Sequence, residues 1–143
     1  MLNNLNIFYK KKILIYGLGK SGLSALKFLK KNNEITTHDD KIKVDNKKIT
    51  KIKFDYIIIS PGIDINKCKL SKFLKNNSKK IYTDLDIFYN HHKKNNKITI
   101  TGTNGKSTTA KILYDILKDQ KVDVRLVGNI GNPILLEKKV TNR

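Results

Sequence analysis

Twice in this chain a short apolar run breaks into glycines and leads at once into a helix-like stretch, and this repeated order restricts the fold more than any other feature. The first case is Lys12-Ile13-Leu14-Ile15-Tyr16, followed by Gly17-Leu18-Gly19-Lys20-Ser21-Gly22. The second is Ile98-Thr99-Ile100-Thr101, followed by Gly102-Thr103-Asn104-Gly105-Lys106-Ser107-Thr108-Thr109. A strand that enters a helix through a tight glycine turn is the unit of parallel α/β sheets, because the helix carries the chain back to begin the next parallel strand. The same turn gathers backbone N–H groups and the positive end of a helix at one point, which suits a phosphate.

The second loop carries the more specific chemistry. Gly102 and Gly105 let the backbone come close to phosphate oxygens, with Thr103 and Asn104 between them. Lys106 can reach the β- and γ-phosphates of a nucleoside triphosphate, which makes it the catalytic candidate. Ser107 can offer its hydroxyl to Mg²⁺, and Thr108 and Thr109 continue the polar start of the helix. The loop is shorter than the common phosphate-binding pattern, since the position of that pattern's first glycine is Ile100. A bare Gly/Asn turn before a lysine is the competing reading. Strand, loop, lysine, hydroxyls and helix falling in order favour the ATP loop.

The first loop, Gly17-x-Gly19-x-x-Gly22, has the spacing of a dinucleotide fingerprint, and Asp39 stands 17 residues beyond it at the end of the second expected strand. By itself it fits a nicotinamide or flavin enzyme, and it equally fits glycines present only for packing. Further along, hydrophobic patterning predicts strands at 34–38, 56–59 and 81–83, and at 98–101 and 122–127 around the second loop. Helices are expected at 20–29 with Leu23, Leu26, Phe28 and Leu29 inward, at 66–77, at 84–89 capped by Asp84, and at 106–120 with Ile112, Leu113, Ile116 and Leu117 inward. Residues 41–54 read as a loop with room for a short strand, and His91 and His92 as solvated members of a polar linker. Two glycine-loop units imply two parallel sheets.

Composition excludes several classes. The formal charge is +18, yet 28 of the 30 basic residues are lysine, the exceptions being Arg125 and Arg143. Base readers lean on arginine's planar fork, so specific nucleic-acid binding is not expected, only salt-sensitive adhesion to polyanions. No apolar run reaches membrane-spanning length. Cys68 is the only cysteine, which fits a reducing cytosol and no internal disulfide.

The two loops have companions: Ser60-Pro61-Gly62-Ile63, then Thr83-Asp84-Leu85-Asp86-Ile87-Phe88, then Gly128-Asn129-Ile130-Gly131. In this order the set resembles the Mur ligase family, and in it the D-glutamate-adding members, from about residue 12 to about residue 134. The resemblance implies a Rossmann-like UDP-substrate-binding domain at 1–83. At 84–143 it implies the start of a P-loop-type α/β ATPase domain, truncated before completion. It implies an ATP-dependent ligase that adds D-glutamate to UDP-N-acetylmuramoyl-L-alanine through an acyl phosphate. Such an enzyme serves cytoplasmic peptidoglycan synthesis, and through it cell shape and division. Carried over by position, Gly19, Lys20 and Ser21 lie at the diphosphate, Asp39 and Lys41 by the uracil and ribose, Gly62 beside the nucleotide and Asn129 at the muramoyl end. Cofactors would be ATP and Mg²⁺, the latter through Ser107. The partners would be small molecules, with no specific nucleic acid and no membrane, and the whole enzyme would be a monomer. The residues present are expected to be inactive alone. A stand-alone nucleotide-binding module and an NAD-type oxidoreductase remain the alternatives.

Overall fold

The computed structural model describes residues 7–42, 46–128 and 130–137. The elements run β1 (Lys12–Tyr16), α1 (Lys20–Leu29), β2 (Glu34–His38), α2 (Asn46–Thr50), β3 (Tyr56–Ile59) and α3 (Ser71–Asn76). A 3₁₀ turn at Ser78–Lys80 leads into β4 (Ile81–Tyr82), and then come α4 (Asp84–His91), α5 (Lys106–Asp119) and a second 3₁₀ turn at Ile134–Leu136.

The four strands form one parallel sheet in the order β2-β1-β3-β4. Tyr16 is level with His38 on one side and with Ile59 on the other, so β1, β2 and β3 end at the same edge. The centre of the sheet is buried on both faces, which is why β1 and β3 are apolar without a break. Side chains alternate between the faces. Ile13, Ile15 and Ile58 meet Ala25 and Leu29 of α1, Ile87 of α4, and Ile134 and Leu135. Leu14, Tyr16, Ile57 and Ile59 meet Ile49 of α2, Phe54, Leu70 and Leu74.

Several expectations change. Residues 46–50 form a short helix rather than a loop, because Ile49 finds a place in the second core. Leu23 is exposed, and buried Ser24 and Ala25 take the inner face of α1 instead. Thr83, not Asp84, caps α4: the Thr83 N–H donates to Asp86 Oδ2 at 2.7 Å, and the helix runs on to His91. His91 sits edge-on to Phe28 at 5.0 Å and His92 stacks on Phe88 at 4.7 Å, so neither is a bare linker residue.

The largest departure concerns the second sheet. Residues 98–101 and 122–127 do not form strands; Val127 makes one isolated bridge, to Asn132. α5 forms as expected but has no buried residue, and Ile112 and Ile116 are each more than half exposed. A parallel strand is held by its neighbours, and among the described residues no strand lies beside 98–101 to pair with it.

Candidate functional site

In an open parallel sheet, loops at the carboxyl ends of the strands make the crevice where ligands settle. Here the glycine loop after β1 has three glycines with different roles. Gly17 turns the chain at φ +90°, a conformation that favours glycine. At Gly22 a Cβ would lie 1.8 Å from the Gly17 carbonyl oxygen, so this glycine lets α1 press against the end of β1. Gly19 is neither turned nor crowded: its φ is −71° and nothing lies within 4 Å of an added Cβ. Its bareness leaves open space at the start of α1. Gly62, in the β3–α3 connection, is equally open.

Lys20 and Ser21 begin α1. No side chain caps this helix, and no acidic residue stands in its first turn. α4 differs, because Thr83 and Asp86 close its N-terminus upon itself. The first N–H groups of α1 are therefore left for an external acceptor.

Asp39 braces the loop. Its Oδ2 accepts the Leu18 N–H at 2.7 Å and its Oδ1 accepts the Lys41 N–H at 2.9 Å. These two backbone donors, Leu18 first, hold its carboxyl below the ordinary carboxylate range. Ser60, which motif reading noted only as part of Ser-Pro-Gly, donates its hydroxyl to the Gly17 carbonyl at 2.7 Å. Gly19, Lys20, Ser21, Asp39 and Lys41 thus come together at one edge, with Gly62 on the facing connection. Asn129 lies outside the described residues.

The second loop has the same open helix start. Gly105 stands before α5 at φ +75°, with no side-chain cap and no acidic residue in the first turn. Lys106 folds back so that its ammonium donates to the carbonyls of Gly102 and of Thr103, the latter at 2.9 Å. Gly102, Thr103, Asn104, Ser107, Thr108 and Thr109 are exposed. Ser107 and Thr108 share an open hollow of about 570 Å³ with Lys111, Ile112, Leu126, Ile130 and Gly131, so Ile130 and Gly131 lie near the start of α5.

The Mur ligase middle domain matches residues 100–143, a span that begins at the second loop. UDP-N-acetylmuramoylalanine–D-glutamate ligase of Rickettsia bellii is 35% identical over 94% of this chain. The ligases of the same name from Clostridioides difficile and Francisella tularensis are 34% and 38% identical, each over 87% of it. Over these spans the chain is similar to the Mur ligases. It spans about a third of the length of these relatives, 33%, 32% and 30% respectively. The likeness to the Rickettsia bellii ligase, over 94% of this chain, takes in both glycine loops, which a dinucleotide fingerprint alone does not.

Motif reading found the loops and Asp39 but missed the hold that Ser60 has on the first loop. Ser60 sits 43 residues from the carbonyl it holds, a separation that leaves no local pattern. No helix among the described residues is long and apolar enough to cross a membrane.

Proposed function

We propose that this chain supplies the nucleotide-substrate and ATP loops of a ligase that joins D-glutamate to UDP-N-acetylmuramoyl-L-alanine in the cytoplasm. The observation that carries the reading is the pair of uncapped helix N-termini, α1 and α5, each behind a glycine turn, beside an α4 that is capped by its own side chains. Two helix starts free of internal acceptors suit two phosphate-bearing ligands.

In this reading residues 1–83 hold the uridine diphosphate part of the substrate and residues 84–143 begin the ATP-binding domain. The diphosphate lies at the start of α1, against the N–H groups of Lys20 and Ser21 and the Lys20 ammonium. Gly19 and Gly62 leave room for it. Asp39 keeps the glycine loop in shape, with Lys41 exposed beside it, and Asn129 serves the muramoyl end. At the other loop, Gly102 to Gly105 and the first turn of α5, Lys106 to Thr109, hold the triphosphate. Lys106 moves its ammonium from the loop carbonyls to the β- and γ-phosphates. The exposed Ser107 hydroxyl is an oxygen that would hold Mg²⁺ beside the phosphates, where the ion would supply further neutralisation of phosphate charge. The γ-phosphoryl passes to the substrate carboxylate, and the D-glutamate amine displaces phosphate from the resulting acyl phosphate. The work asked of this chain is positioning and charge neutralisation.

Calorimetric titration of the 143-residue chain with UDP, UDP-N-acetylmuramoyl-L-alanine and NAD⁺ tests the reading. Both uridine ligands are expected to bind more tightly than NAD⁺. Tighter binding of NAD⁺ would replace it with the oxidoreductase reading.

A further inference from the structure

A second polar group lies under the crevice, and nucleotide binding as described does not use it. Tyr16 and His38 are register partners at the ends of β1 and β2. Asp40 follows two residues later, and Cys68 and Lys69 approach from the β3–α3 connection. The buried Tyr16 hydroxyl donates to Asp40 Oδ1 at 2.5 Å. Asp40 Oδ2 accepts the Lys69 N–H at 3.1 Å, and the Lys69 ammonium donates to the Asp40 carbonyl at 2.5 Å. Asp39, the preceding residue, points its carboxylate the other way, to Leu18 of the glycine loop. Two consecutive carboxylates therefore tie the end of β2 to both walls of the crevice: Asp39 to the glycine loop, Asp40 to the connection that carries Gly62.

His38 lies beneath this tie. Its side chain has no solvent exposure, and neither ring nitrogen has a hydrogen-bond partner. The ring lies 4.9 Å from that of Tyr16, and Nε2 stands 3.5 Å from Asp40 Oδ1. That gap is about half an ångström longer than a hydrogen bond. Buried polar groups rarely go unpaired, and here the missing partner is one small movement away. Burial opposes ionisation of Asp40, but the Tyr16 hydroxyl and the Lys69 N–H outweigh it and hold the carboxyl below its ordinary range. Asp40 is thus ionised at neutral pH and can accept from all its neighbours.

We propose that Asp40 is a positioning residue for the nucleotide crevice: through Tyr16 and Lys69 it sets the spacing of the β3–α3 connection against the glycine loop, and closure on a nucleotide brings its carboxylate onto His38 Nε2. The proposal rests on the reading of this crevice as the uridine-nucleotide site. Asp40 has a positioning role because both oxygens of its carboxylate are already held, by Tyr16 and by Lys69. It acts through the Lys69 backbone on one wall and, through the continuous chain, on Asp39 at the other.

The test uses the 143-residue chain with UDP as the probe, followed by calorimetry and by ¹⁵N spectra of the histidine side chains. In the wild-type chain UDP is expected to bind and to move the His38 nitrogen signals toward hydrogen-bonded values. Asp40→Asn keeps an acceptor for Tyr16 but loses the second carboxylate oxygen. It is expected to weaken UDP at least tenfold and abolish the His38 shift. A structural residue alone would lower the melting temperature without removing a ligand-induced signal from His38. UDP binding equally well to wild type and Asp40→Asn overturns the proposal and leaves the nucleotide reading standing. Failure of UDP to bind wild type overturns both. If Asp40→Asn does not fold, Tyr16→Phe, which deletes only the hydroxyl, is judged by the same two readouts.

Discussion

Gly19 and Gly22 stand three residues apart and are expected to respond oppositely to the same substitution. A methyl group at Gly22 would meet the Gly17 carbonyl at 1.8 Å, backbone against backbone. Gly22→Ala should therefore cost about 3 kcal/mol or more. Gly19→Ala meets nothing within 4 Å. It should leave the melting temperature within a degree or two of wild type and weaken UDP binding, as paired thermal melts and titrations would show. Asp39 and Asp40 give the acid response. Both carboxyls are held below their ordinary range, so the stability they confer is complete above about pH 4 and is lost as pH falls through the depressed values. Asp39→Asn should cost about 1.5 kcal/mol at neutral pH, as for a hydrogen bond to a charged acceptor, and flatten the acid limb of a melting-temperature profile. The position of Asp39 was legible in the sequence, because a motif fixes where an acid should stand, but its hold on the Leu18 and Lys41 N–H groups was not. Nor was the Tyr16–Asp40–Lys69 tie. Its bonds span 24 and 29 residues, and only the folded sheet with its β3–α3 connection brings them together.

At the scale of elements, the parts held by local pattern were read correctly. β1 and β3 are apolar runs and β2 a β-branched one, each bounded by turns, and α1 and α5 begin where glycine ends. α2 escaped notice because Lys47 and Lys48 hide a single buried contact, Ile49. The expected strands at 98–101 and 122–127 depend on partners rather than on their own residues, and pairing of that kind is not written in a segment. α4 owes its start to the Thr83–Asp86 box, so Thr83→Ala should cost about 1 kcal/mol. α5 has no such support and buries nothing. Its amides, and those of 98–101, should exchange with solvent far faster than those of Ile13–Tyr16 and Ile57–Ile59 in hydrogen-exchange measurements. Equal protection across these segments would show that the second unit is as firmly packed as the first.

The molecule as a whole joins a sheet packed on both faces to a phosphate-type loop on an exposed helix, over about a third of its relatives' length, 33% for the Rickettsia bellii ligase. Its charge of +18 acts at this scale too. Binding to duplex DNA should be weak, fall steeply with added salt and show no sequence preference. A site preference above about a hundredfold at physiological salt would mark a true reader. In the proposed function one chain carries two separate phosphate-binding helix starts. Backbone amide NMR of the 143-residue chain, titrated first with UDP and then with ADP and Mg²⁺, tests it most directly. UDP is expected to shift Leu18 to Ser21, Lys41 and Gly62 while leaving 102–109 unmoved, and ADP the reverse. Both nucleotides shifting the same loop, or neither shifting any, would contradict the account.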